Sequence, residues 1–173
     1  MLLLNRMHDH KNVQDGSLDR FLLAQNRSAR AQPHTTVYEM ALSEICSGRK
    51  LSHWIWFILP QGPFGTSMMA RRYAISDLDE AANYLRESTL RARLLEMTNG
   101  ILVQLKAGVP VLTLMGSQTD SRKLVSCLTL FEAVATRLGD EEVRIAMSEV
   151  LGNPSLEMWP RCMATLNWLG EVH

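Results

Sequence analysis

Two stretches of this chain carry an apolar stripe at the helical period, and that limits what the chain can fold into. Leu90, Leu94, Met97, Ile101, Leu102 and Leu105 fall one above another at spacings of mostly three or four. Leu124, Cys127, Leu128, Phe131, Val134, Ala135 and Leu138 do the same, and Gly139 follows as a stop. A strand buries alternate residues and would split either stripe between two faces, so both stretches predict helices laid against a core. Ser88 or Thr89 opens the first, and Asp120 is the expected cap of the second.

The remaining sequence follows the same period. Ser17 is the expected cap of a run in which Leu18, Phe21, Leu22 and Gln25 share a face, ending near Ser28. Ala31-Gln32-Pro33-His34 breaks the chain. Val37, Met40, Ala41, Glu44 and Ile45 resume the period, and Gly48 offers a left-handed end. A helix is expected from Ser67 through Tyr73. Another opens at Asp77, with Glu80 placed to complete a capping box. Two more are expected over about 140–151 and 155–169.

The dense run Ser52-His53-Trp54-Ile55-Trp56-Phe57-Ile58-Leu59-Pro60 fits a buried strand or a buried helical turn by pattern alone. The turn is favoured because no partner strand shows clean alternation. Val109 to Met115, with Pro110 near its start, is the only other strand candidate. The reading is an all-α fold, a single multihelical globular domain over residues 17–173. It has about seven or eight helices and an irregular Trp-rich segment. A polar arm without periodicity precedes it over residues 1–16, and Met7 could serve as the start.

Composition narrows the function classes. A chain of 173 residues can bury about 70% of its unfolded surface and needs no staples. Its 18 basic and 18 acidic residues balance, so no overall field draws it to nucleic acid or to an anionic membrane. No apolar run approaches the roughly 18 residues of a membrane span, and Met1-Leu2-Leu3-Leu4 is too short for a secretory core. Cys46, Cys127 and Cys162 are odd in number and form no Cys-x-x-Cys, which suits a reducing cytosol and a cytoplasmic location. The histidines at 8, 10, 34, 53 and 173 include no pair four apart, and no nucleotide-loop or metalloprotease signature is present. Neither a metal nor a cofactor is expected.

Two segments could carry chemistry. In the first, Lys50, His53, Trp54, Trp56 and Gln61 combine aromatic rings with polar ends. Such rings stack on planar groups, and a lysine or histidine beside them can meet phosphate or carry a proton. The alternative is that the tryptophans are core, with indole N–H groups bonded to carbonyls. In the second, Asp120, Lys123 and Ser126 follow at steps of three near the positive end of a helix. The alternative there is a capping aspartate with a solvated lysine, although Ser126 lies beside Leu130 and Phe131 and needs a partner. Arg72, next to Arg71, adds local positive charge.

These segments resemble a known family. Tyr38-Glu39, Ala41-Leu42, Gly48-Arg49-Lys50, the run from Ser52 to Gln61 and Arg72-Tyr73-Ala74-Ile75 are all in its order. So is Asp-x-x-Lys-Leu-x-Ser-x-x-Thr-Leu-Phe from Asp120 to Phe131. The chain is similar, from about Leu18 to about Leu151, to the family catalogued as domain of unknown function 1810. The resemblance implies a small, mostly bacterial, multihelical soluble protein with no established reaction, so it transfers no catalytic residue. The label calpastatin, which some members carry, does not fit, since nothing here resembles a disordered inhibitor repeat. Two features depart from the family: the turn after Gln61 is about a residue short, and Cys127 stands where a second serine is usual.

Two functional readings follow. The first is a binding protein or enzyme for a small phosphorylated ligand, nucleotide-like or ADP-ribose-like. It would use a cleft between the Trp-rich segment and the start of the 120–131 helix. There Trp54 and Trp56 would stack a ring, and Lys50, Gln61, Arg72, Lys123 and Ser126 would contact the ligand. His53 and Asp120 would move protons. It requires Lys50, His53, Trp56, Asp120 and Lys123 to converge. The second is a non-catalytic protein interaction module, monomeric or homodimeric, with the tryptophans in the core or against a partner. Nucleic-acid binding is disfavoured, because basic residues alternate with acidic ones nearly everywhere.

Overall fold

The centre of the molecule is a helix that is buried all the way round. In the computed structural model, which describes residues 18–30 and 32–170, this helix is α8 (Gln118–Leu138). Every residue from Leu124 to Phe131 in it is buried. A sequence stripe shows one face of a helix, and α8 packs on several sides. Against it lie α5 (Leu78–Arg86), α7 (Val111–Met115) and α9 (Glu141–Leu151), and α6 (Ser88–Lys106) packs in turn on α5, α7 and α9. The set is completed by α1 (Asp19–Asn26), α2 (Val37–Cys46), α3 (Ile55–Ile58), α4 (Met68–Arg72) and α10 (Met163–Trp168). Ten α-helices are thus present among the described residues, more than expected because several are single turns. The expected arm over residues 1–16 and the Ser17 cap lie outside the described residues.

Helix boundaries follow local chemistry. Ser117, not Asp120, caps α8: its hydroxyl accepts the Asp120 N–H at 3.1 Å, which leaves the Asp120 carboxylate free for other partners. Gly139 closes α8 at φ 69°, a left-handed position that glycine tolerates, and Asp140 N–H bonds Ala135 carbonyl at 2.9 Å. Asp77 caps α5 as expected. Glu80, however, does not complete the box. It accepts from Ser76 N–H at 2.7 Å and pairs with the buried Arg20 at 2.5 Å, tying α1 to α5. A full capping box occurs instead at Thr36 and Glu39, opening α2.

Three segments differ from their sequence reading. The break after Ser28 contains a two-stranded antiparallel hairpin, β1 (Ser28–Ala29) with β2 (Gln32–Thr36). Val109 to Met115 holds a helix, α7, led in by Pro110, and not a strand. The helix expected over 155–169 is divided. A 3₁₀ turn spans Pro154–Leu156, and α10 begins only at Met163. Pro160 explains the gap, since it lacks an N–H and pushes Trp159 toward extended backbone. The Trp-rich segment forms one helical turn, α3, as expected.

An aromatic cluster fills the core beside α8. The Phe21 and Tyr84 rings meet edge to face at 5.3 Å, and Tyr84 lies 5.1 Å from Phe131. Tyr73 joins Phe57 at 5.2 Å. Among the described residues no helix is long and apolar enough to cross a membrane.

Candidate functional site

The loop between α2 and α3 is folded back by one carboxylate. Glu44, in the last turn of α2, accepts the Leu51 N–H at 2.8 Å, the Ser52 N–H at 3.0 Å and the Trp54 indole N–H at 2.8 Å. The far side of the loop docks on α7 through Lys50 N–H and the Leu114 carbonyl, 2.7 Å apart. Gly116 permits this approach: a Cβ there would stand 3.2 Å from the Lys50 carbonyl oxygen. Trp54 is fully buried, so its ring is core and its N–H is satisfied by Glu44 instead of by a carbonyl.

Held this way, Lys50 points at the start of α8. Its ammonium donates to the Ser52 carbonyl at 2.7 Å, pairs with Asp120 Oδ2 at 2.7 Å and lies 5.2 Å from the Trp54 ring centroid. The other Asp120 oxygen accepts from Lys123 at 3.1 Å, and Lys123 Nζ sits 4.4 Å from the centroid of Trp56. The result is a chain of alternating groups running Trp54, Lys50, Asp120, Lys123, Trp56. Ammonium groups over indole faces add cation–π attraction to the ion pairs.

Electrostatics limit what these groups can do. Burial pulls the Asp120 carboxyl upward, but hydrogen bonds from Lys50 and Lys123 outweigh it and hold the group below the ordinary aspartate range. A carboxylate held in this way is a weak base, so its clearest role is to neutralise and orient two lysines. Glu44 is likewise held low: its donors overcome burial. Lys50 has its protons committed to Ser52, Asp120 and the Trp54 face, whereas half-buried Lys123 hydrogen-bonds only Asp120 among the described residues.

Five of the sequence candidates therefore meet: Lys50, Trp54, Trp56, Asp120 and Lys123. The other four are placed differently. Ser126 faces α10, where its hydroxyl and that of Thr165 share a buried hydrogen bond of 3.0 Å. That bond is the partner its apolar setting demanded. Exposed Arg72 lies over Tyr73 at 5.6 Å, and Gln61 holds Ile75 N–H through its backbone carbonyl at 2.9 Å. His53 does not join them and lines a separate hollow.

His53 lines a hollow of about 350 Å³ with Arg27, Arg30, Val37, Met40 and Ser52. No carboxylate lines it, and neither arginine has an ion-pair partner among the described residues. Arg27 and Arg30 flank the short strand β1, and a strand of two residues leaves no pattern that singles them out. Glu44 was missed as well, although an acid in the last turn of a helix opposes the dipole and so signals another duty. Among the described residues no three His, Cys, Asp or Glu side chains gather as metal ligands.

Comparison with known proteins agrees with this architecture. The family model described as protein of unknown function DUF1810 matches residues 15–151. The chain belongs to this family. A chain of similar fold is known as a crystal structure, the conserved hypothetical protein Rv1873 from Mycobacterium tuberculosis. It is 29% identical, with a TM-score of 0.71 over 90% of this chain and 97% of that one. No curated protein matches the chain. Nothing in the DUF1810 description supports an inhibitor of the calpastatin kind.

Proposed function

We propose that this DUF1810 protein binds a small phosphorylated ligand in the hollow beside the hairpin. The observation that carries the reading is a hollow of about 350 Å³ lined by two arginines and a histidine, with no acidic residue in the lining. Arginine offers a planar fork of donors that suits phosphate oxygens, and the surplus positive charge gives an anion the best electrostatic fit. Val37 and Met40 supply an apolar wall for the uncharged part of the ligand. The volume falls at the lower end of the range for small-molecule sites. The cleft expected between the Trp-rich segment and α8 is bridged by the Lys50–Asp120–Lys123 pairs, and in this reading it braces the loop that presents His53.

The test is a thermal-shift series with ADP-ribose, AMP and ribose 5-phosphate against adenosine and ribose. A ligand at 100 times its dissociation constant adds about 2.7 kcal/mol, a rise of several degrees for a chain this long. The phosphorylated compounds should raise the melting temperature and their dephosphorylated partners should not. The shift should vanish in the double variant Arg27→Gln, Arg30→Gln and persist in Lys123→Ala. A shift lost in Lys123→Ala and kept in the arginine variant would move the site to the α8 end of the loop.

A further inference from the structure

A second hollow opens on the other side of α8. It has a volume of about 660 Å³, and its apolar lining comes from Leu112, Val125, Met158, Trp159 and Met163. Three of these are unusually wet for their type: Met158 is 87% exposed, Met163 54% and Leu112 49%. Single exposed apolar residues are ordinary, but several converging on one concave surface mark a binding site.

The outer wall of this groove is fastened, not loose. Arg161 makes two hydrogen bonds of 2.5 Å to Glu132, and Cys162 N–H donates to Thr129 Oγ1 at 3.0 Å. The groove is therefore preformed, which lowers the ordering cost of filling it. Its charge is one-sided. Arg122 lines it with no hydrogen bond or ion pair to any described residue, Arg161 is committed to Glu132, and no acidic side chain faces it.

An apolar trough with one uncommitted guanidinium at its edge matches an amphipathic anion. We propose that this groove binds a small monocarboxylate with an alkyl or aryl body. The body would lie against Trp159 and the methionines, and the carboxylate would pair with Arg122. Thioether and indole surfaces adapt to such bodies without demanding one shape. This site is separate from the phosphate-binding hollow and does not depend on it.

Calorimetry with octanoate, octanol and octylamine, all below the concentrations at which they aggregate, tests the assignment. Octanoate should bind one to one, octanol about tenfold more weakly and octylamine not measurably. A charge-assisted hydrogen bond is worth about one decade in affinity. Arg122→Gln should weaken octanoate about tenfold and leave octanol unchanged, while Met163→Glu should abolish both. Both positions are exposed, so the variants fold. The double variant Arg27→Gln, Arg30→Gln should bind octanoate normally, which separates this test from that of the phosphate site. Equal binding of octylamine and octanoate, an unaffected Arg122→Gln, or no saturable binding would each overturn the proposal. So would sedimentation showing a dimer that Met163→Glu dissociates, because the groove would then belong to a second copy.

Discussion

Lys123 and Trp56 are joined face to charge, with the ammonium 4.4 Å from the ring centroid while it also bonds Asp120. Through that carboxylate the contact extends to Lys50, whose side chain is 6% exposed, and so to the loop before α3. The loop and the first turns of α8 are thus held together by charges withdrawn from water, and a backbone hydrogen bond from Lys50 adds α7.

Removal of both charges should cost less than the two single removals added together. Asp120→Asn leaves the Lys50 ammonium buried without a counter-ion and should lower stability by about 3 kcal/mol. The double variant Lys50→Met, Asp120→Leu should lose clearly less than the sum of the single changes. Urea unfolding should show this as moved midpoints with an unchanged slope. Additive losses would mean that the pair is not coupled.

Acid should weaken the fold. Glu44, Glu80, Asp120 and Glu132 are all held low by donors that outweigh burial, and Asp140 by its pairing with Arg91. Unfolding returns them to about 3.9 for aspartate and 4.3 for glutamate, so below about pH 5 the unfolded chain binds more protons than the native one. Their contribution is fully present above that range and is lost as pH falls through the native values. Melting temperatures taken from pH 7 to pH 3 should decline on the acid side. Asp120→Asn should make that decline shallower.

Ser126 and Thr165 should behave as a structural couple. Ser126→Ala leaves the Thr165 hydroxyl buried and unpaired, a loss of about 1–2 kcal/mol, and adding Thr165→Val should recover part of it. Thermal melts of the single and double variants check this. The ligand shifts proposed for the hairpin hollow should be unchanged in both.

The Tyr84 hydroxyl is buried with no hydrogen-bond partner among the described residues. Burial pushes its pKa up and the neighbouring Cys127 adds to the shift, while the Gln25 side chain, near but not in hydrogen-bond geometry, opposes it. Tyr84→Phe removes an unsatisfied polar group and keeps the ring contacts with Phe21 and Phe131. It should raise stability by about 1 kcal/mol in urea unfolding, and a loss would reveal a partner for the hydroxyl.

What the sequence discloses depends on how local the cause is. The α6 stripe and the Asp77 cap are set within a turn or two, and both were readable. The α8 cap was misplaced by three residues because Ser117 and Asp120 are both good caps at adjacent turns. Residues 50–54 have no period, so nothing in the chain told that Lys50 joins Asp120 while His53 lines a separate hollow. The hairpin, with strands of two and five residues, lacks the alternation that betrays a strand. Glu44 and the Ser126–Thr165 bond depend on chain segments that only tertiary packing brings together.

The wall of the α8 groove from Met158 to Met163 lies beyond residue 151, where the family match stops, whereas Val125 and Arg122 lie within it. That wall is attached to the core by a few discrete bonds from Arg161, Cys162 and Thr165. The groove thus joins a frame that the family model spans to a panel outside that span. Altering the panel would retune which bodies the groove admits, with the buried middle of α8 left as it is.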